Sequence, residues 1–368
     1  MQVIKQLLRA LPLVASAALL LPTACDTEEK LTQTIEYSDD FAIVDQPGDT
    51  VAHERYLIYK ELGVPVYFND TIAVRDKGLD RNGNPVVNYE TIDLNWKYTG
   101  YERGVRYSYA YLRDPAAQMR ALRYVRRYLA TVSPQMRPFS IMVADTLTVS
   151  SRSKTEKPVF HVGFRTLVFS QVADLTDSTA IASQIKQVIK SMVSDRVKAN
   201  AEVCARFAAY ANDKGWYYNT WDDLGNCPTI GKWRKVSWML TVNGLFKEPP
   251  YVVYDKMDFV DLLMARVVGN SAPYPNTREE AEADRQRMVA EMGNYGFICG
   301  WAQLGSYTPA DDSEDREQYL QAMMALGDQG FRRRYGNAQM VMEKYRILYD
   351  YLTEKLGIDL NFDGTLAE

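Results

Sequence analysis

The stretch TAIASQIKQVIKSMVSDRV, residues 179–197, decides how the rest of the chain is read. Its apolar residues Ile181, Ile185, Val188, Ile189, Met192, Val193 and Val197 recur at spacings of three and four. That period puts them on one stripe of an α-helix and leaves the polar residues on the opposite side. The spacing therefore predicts a long amphipathic helix backed by a core. Downstream the helical period returns over residues 257–268, 279–292, 316–326 and 338–356, between loops rich in Gly, Pro and Asp, and Gly357 closes the last segment.

Upstream of residue 179 the pattern is mixed. Residues 50–62 place Val51, Ala52, Tyr56, Ile58, Tyr59 and Leu62 on one helical side, with Thr50 as a candidate cap, Gly63 as a stop and Arg55 interrupting the apolar side. Residues 64–68 read as a strand and the Asp80–Pro85 cluster as a turn between strands. Over 116–131, Met119, Leu122, Val125, Tyr128 and Leu129 repeat at helical spacing, with Arg120, Arg123, Arg126 and Arg127 on the other faces. Residues 139–145 and 159–169 are β-rich, the second run long enough for a central strand or a hairpin arm. Strands and helices come first and mostly helices follow. This order predicts a single α+β domain with a mixed sheet over residues 50–368.

The first residues carry Lys5 and Arg9, then an apolar run over 10–21, then Thr23 and Ala24 directly before Cys25. This is the order of an export signal. The apolar run is shorter than the roughly 20 residues a bilayer-spanning helix needs. The expectation is a signal peptide over 1–24, lipid attachment at Cys25 and a tether over 25–49; an ordinary secretory signal with an incidental cysteine is the alternative. Leu21-Pro-Thr-Ala-Cys25 resembles a bacterial lipobox, and the acidic residues Asp26, Glu28 and Glu29 resemble the tag that sends lipoproteins to the outer face of the outer membrane.

With 46% hydrophobic and 12% aromatic residues the chain can build a large core, and a net charge of −4 gives no footing for nucleic acid. Besides Cys25 there are Cys204, Cys227 and Cys299, without a CxxC pair or zinc-ribbon spacing. A Cys204–Cys227 disulfide is one option that spacing leaves open.

A zinc hydrolase brings several neutral imidazoles or carboxylates to one ion, most compactly with two histidines at i and i+4 of a helix. This chain has two histidines. His53 falls in the first predicted helix and His161 in a strand, so the paired motif is absent and a catalytic triad has little to draw on. Asp359-Leu-Asn-Phe-Asp-Gly364 matches the opening of a calcium loop, but the residues to Glu368 do not reach the position of the bidentate glutamate. Gly215-Trp-Tyr-Tyr-Asn-Thr-Trp221 falls in a predicted loop and offers Trp216, Tyr217, Tyr218 and Trp221 as ligand-contact aromatics, or as ordinary packing residues.

Over residues 45–360 the chain resembles the zinc-binding metallopeptidase lipoproteins encoded beside starch-utilisation-type outer-membrane importers. The early helix and strand over 51–68, the helix and strand over 116–143 and the last helix over 337–360 follow that family's order. The family's HEFAH motif is similar in position to Lys186-Gln187-Val188-Ile189-Lys190, so both histidine ligands are replaced by lysine and the base by Gln187. Its EDFAE motif resembles Met257-Asp-Phe-Val-Asp261, with Asp261 in the ligand place. A lysine ammonium has no lone pair to give a metal at neutral pH.

The resemblance implies a zincin-like fold, no cofactor, and a catalytically degenerate accessory or binding subunit. Its implied setting is the cell surface, lipid-anchored in the outer membrane, with a transporter and that transporter's surface lipoprotein as partners. It also implies that Lys186 or Lys190 pairs with Asp261 where zinc would stand; two solvated lysines on the polar side of an amphipathic helix are the alternative. Two other readings remain open: an active metallohydrolase using Asp258, Asp261 and His161, and a structural brace acting through the arginine face of residues 120–127.

Overall fold

Strand β7 (Ser140–Ser150) organises the molecule, because its two halves pair in opposite senses. The computed structural model describes residues 41–230, 277–298 and 307–360, all within one compact unit. The first half of β7 runs parallel to β1 (Val66–Tyr67) and β10 (Thr166–Ser170), with Ile141 opposite both Val66 and Leu167. The second half runs antiparallel to β6 (Arg106–Tyr111) and β8 (Thr155–Glu156). β9 (Phe160–Val162) pairs antiparallel with β10, completing a six-stranded sheet. The β-rich run over 159–169 is thus a tight hairpin rather than one strand, and the architecture is α+β with a mixed sheet.

The sequence of β7 explains its central position. Residues 140–144 are buried without interruption, as expected of a strand covered on both faces. Alternate residues go to different cores. Ile141 and Val143 join Leu167 and Phe169 against the helices. Met142, Ala144 and Leu147 join Val168 against Ile72, Ile92 and Leu94 on the opposite face, which Phe41 and Ile43 also cover.

Three helices fill the first face. α1 (Thr50–Leu62) is capped by Asp49 rather than Thr50: its carboxylate accepts from the Val51 and Ala52 amides at 2.9 and 3.1 Å. The exposed N-terminal donors of a helix make such a cap worth about 1 kcal/mol. Asp49→Ala is expected to lower the unfolding free energy by that amount, read as a lower urea midpoint at unchanged slope. Arg55 sits inside the apolar side because its Nε donates to the Val66 carbonyl at 2.6 Å and its guanidinium lies 5.9 Å from the centre of the Tyr67 ring. α2 (Pro115–Thr131) sets Tyr124 and Tyr128 edge-on against Phe169 at 5.1 and 5.2 Å. α3 (Ser178–Ala199), capped by Asp177, buries every apolar residue of the predicted stripe.

Two hairpins extend from the second face. β2 (Thr71–Leu79) and β3 (Pro85–Thr91) pair antiparallel and are mostly exposed. The Asp80 carboxylate accepts from the Asn82 and Asn84 amides and closes their turn, as the Asp80–Pro85 cluster predicts. β4 (Trp96–Lys97) and β5 (Gly100–Tyr101) form a shorter one.

The C-terminal half is helical among the described residues. Asn200 ends α3 and at once caps α4 (Ala201–Asn212) through its side chain. A one-turn α5 (Trp221–Leu224) follows, then α6 (Arg278–Gly293), α7 (Asp312–Tyr335) and α8 (Gln339–Asp350), with a π-helical turn over Tyr351–Lys355. α7 is broken at Gly327, whose φ of 67° is left-handed, so the predicted helical period over 316–326 ends one residue before the break. The segment at 257–268 lies outside the described residues.

Candidate functional site

α3 carries Lys186, Gln187 and Lys190, the positions that only the family resemblance links to a metal site. Its stripe is buried, so Lys186 and Gln187 fall on the exposed side and Lys190 is half-buried. Lys186 borders a groove of about 370 Å³ formed by the end of α2, α3, Met324 of α7 and residues 357–360. Val132, Met136, Ile189, Ile358 and Leu360 give this groove an apolar lining, and Thr131, Ser133 and Asp359 add polar groups. Gln187 and Lys190 are not among its described lining residues. Met257–Asp261, including Asp258 and Asp261, lie outside the described residues, and so does the ion pair expected at Asp261. Cys25 and Cys299 lie outside them as well.

His161 is held as a structural residue. It is buried, its Nε2 lies 3.0 Å from the Leu94 carbonyl, and its ring stacks at a tilt on Tyr107 at 4.5 Å. Burial, and then Lys97, pushes its pKa down to about 4, against the pull of the Leu94 carbonyl and Glu102. His53 is more exposed, with Nδ1 2.7 Å from Asp45 Oδ1. Among the described residues no group of three or more His, Cys, Asp or Glu side chains could hold a metal ion. Cys204 and Cys227 are free thiols and not a disulfide. Cys204 donates to the Val197 carbonyl at 3.2 Å, while burial and Glu291 push the Cys227 thiol up to about 11.

The aromatic run at 216–221 divides by environment. Trp221 is 1% exposed and packs on Tyr295 and Phe297. Trp216 packs edge-on against Tyr295 at 5.1 Å. Tyr218 is 60% exposed and stacks on Tyr307. The Tyr217 hydroxyl donates to Asp315 Oδ2 at 2.9 Å, which ties the run to a charge pair that the sequence did not suggest.

That pair, Asp315 and Lys344, is fully buried. Lys344 Nζ donates to Asp315 Oδ2 and, at 2.8 Å, to the Gly296 carbonyl. The ammonium also lies over the rings of Phe207, Tyr319 and Phe297 at 4.4, 5.0 and 5.1 Å. Ring faces carry negative charge and attract a desolvated cation. Gly296 has φ 71°, and a Cβ there would come within 2.9 Å of Met340 Cγ and 3.2 Å of Lys344 Cδ, so glycine lets the backbone reach the ammonium. Burial pushes the Asp315 carboxyl up and the Lys344 ammonium down, and the pairing opposes both shifts.

A second aromatic group is assembled by the fold from distant parts of the chain. The β4–β5 hairpin and the β9–β10 turn bring together Trp96, Tyr101 and Phe164, about half exposed, and the half-buried Tyr98. Trp96 meets Tyr101, and Tyr98 meets Phe164, each edge-on at 5.2 Å. The spacing of Trp96, Tyr98 and Tyr101 around Gly100 was the available signal.

Comparison with protein-family models, with curated proteins and with solved structures finds no match to this chain. The chemistry available to these sites therefore rests on their own residues. The Lys186 groove offers an apolar bed with Lys186 and Asp359 among its described lining residues, and the buried pair is closed to solvent.

Proposed function

We propose that the chain is a surface lipoprotein, lipid-anchored in the outer membrane through Cys25, that serves a nutrient importer as a non-catalytic binding or accessory subunit on a degenerate zincin-like fold. The observation that supports this reading is the position of Lys186. The residue that stands where the family's first histidine would stand borders a groove of about 370 Å³. Lys186 and Asp359 put one charge of each sign on this groove, which suits a ligand with both donors and acceptors set above an apolar bed. A peptide end or a glycan edge both meet that description.

The test is the zinc content of the full chain in detergent, measured by elemental analysis before and after incubation with zinc and removal of the excess. The expected result is well below one zinc per chain in both samples. Zinc near one per chain, lost to a chelator, would sink the reading in favour of a hydrolase with an unconventional ligand set.

A further inference from the structure

We infer that the Lys186 groove binds a small zwitterion, a free amino acid or dipeptide with aliphatic side chains, its carboxylate toward Lys186 and its ammonium toward Asp359. The inference deepens the proposed function and rests on its placing the ligand in this groove.

The groove exists because the last described residues cross the end of α2. The Ser133 hydroxyl donates to the Leu356 carbonyl, and the Ile358 amide donates to the Leu352 carbonyl at 2.9 Å. Between them Gly357 turns the chain in the left-handed region, at φ 63°. These contacts hold residues 357–360 against the groove and set Asp359 in its wall. A wall fixed in advance loses little entropy when a ligand binds. The enclosed volume is about 370 Å³, near the lower end of the range of about 300–1,000 Å³ for ligand sites. Such a space suits one or two residues with free ends and is small for a polymer.

The charges of the groove select the ligand. Lys186 comes from α3, is exposed and enters no ion pair among the described residues. Asp359 comes from the far end of the described chain. On the same groove α2 stops at Thr131 with no basic residue in its last turn, so the negative pole of that helix adds to the carboxylate. A ligand with one charge of each sign complements both groups. An anion meets repulsion at Asp359 and a cation meets it at Lys186. A neutral sugar offers neither charge a counter-charge for the water it displaces.

The floor completes the match. Val132, Met136, Ile189 and Leu360 are buried apolar side chains that line the groove, and Met324 of α7 adjoins them. Aliphatic side chains gain from leaving water for such a floor, and the two methionines let it adapt in shape.

The test is isothermal titration of the full chain in non-ionic detergent with leucine and leucyl-leucine. Each is also supplied in N-acetylated and in amidated form, which lack one charge. The expected result is one-to-one binding of at least one zwitterion at a dissociation constant of about 1 mM or below; the tighter of the two tells one residue from two. Either cap weakens binding by about tenfold or more. Lys186→Gln removes the penalty for amidation and keeps that for acetylation, and Asp359→Asn does the reverse. A variant that merely loosened the groove would weaken every ligand alike. Should Asp359→Asn lower the thermal midpoint, the exposed change Lys186→Gln carries the test alone. No binding of either zwitterion, equal binding of the capped forms, or Lys186-dependent binding of a neutral disaccharide in their place overturns the inference. With zinc well below one per chain, any of these sinks the ligand class and leaves the non-catalytic reading standing, whereas zinc near one per chain sinks that reading itself.

Discussion

Lys344→Met is expected to cost about 3–5 kcal/mol of unfolding free energy, because it leaves the Asp315 carboxylate buried without its counter-charge. Methionine keeps most of the lysine's volume between Phe207, Phe297 and Tyr319, so the loss reports charge rather than a cavity. The double variant Asp315→Leu/Lys344→Met removes both charges and is expected to recover to within about 1 kcal/mol of the parent or to exceed it. Urea unfolding followed by circular dichroism reads both. A single-variant loss below about 1 kcal/mol would mean that Asp315 is content as a neutral acid hydrogen-bonded to Tyr217.

Acid should weaken the fold through His161. Its folded pKa of about 4 lies below the ordinary value of 6.5, so the folded chain keeps a neutral ring while the unfolded chain takes up a proton. This contribution is complete above pH 6.5 and is lost as pH falls toward 4, totalling about 3 kcal/mol. His161→Gln carries no such titration. The parent's stability should therefore fall by about 3 kcal/mol more than the variant's between pH 7.5 and 4. Parallel pH profiles for the two proteins would show that the ring is protonated without penalty in the folded state.

Periodicity carried much of the fold. The stripe from Ile181 to Val197 is buried as its spacing predicts, since a helix against a sheet must turn its apolar side inward. Local patterning could not show that β7 changes its pairing sense at Ala144, because that depends on partners from both sides of it in the chain. α4 is not legible in the sequence because one residue, Asn200, both ends the preceding helix and starts the next. The glycine after Leu326 marks a break in α7, yet helix continues on the other side.

The sites were less legible. Lys186 was singled out by resemblance, but its groove is built from residues between 130 and 360 that no local window joins. Lys344 reads as one more polar residue of a helix, and only the fold reveals that it is fully buried opposite Asp315. Trp96 and Phe164 lie far apart in the chain, so their contact belongs to the sheet and not to either hairpin's own sequence.

The far end of the described chain is fastened to its first third. The Ser133 hydroxyl donates to the Leu356 carbonyl, and Gly357, at φ 63°, passes so close that a Cβ would lie 3.0 Å from Gln135 Oε1 and 3.1 Å from Ser133 Cβ. Leu352, Leu356 and Leu360 belong to the same core as α2 and β7. A ribosome still holding residues near 350 would therefore hold a chain whose main core is open. Closure must wait for the residues from Leu352 to Leu360, and so much long-range contact slows it further.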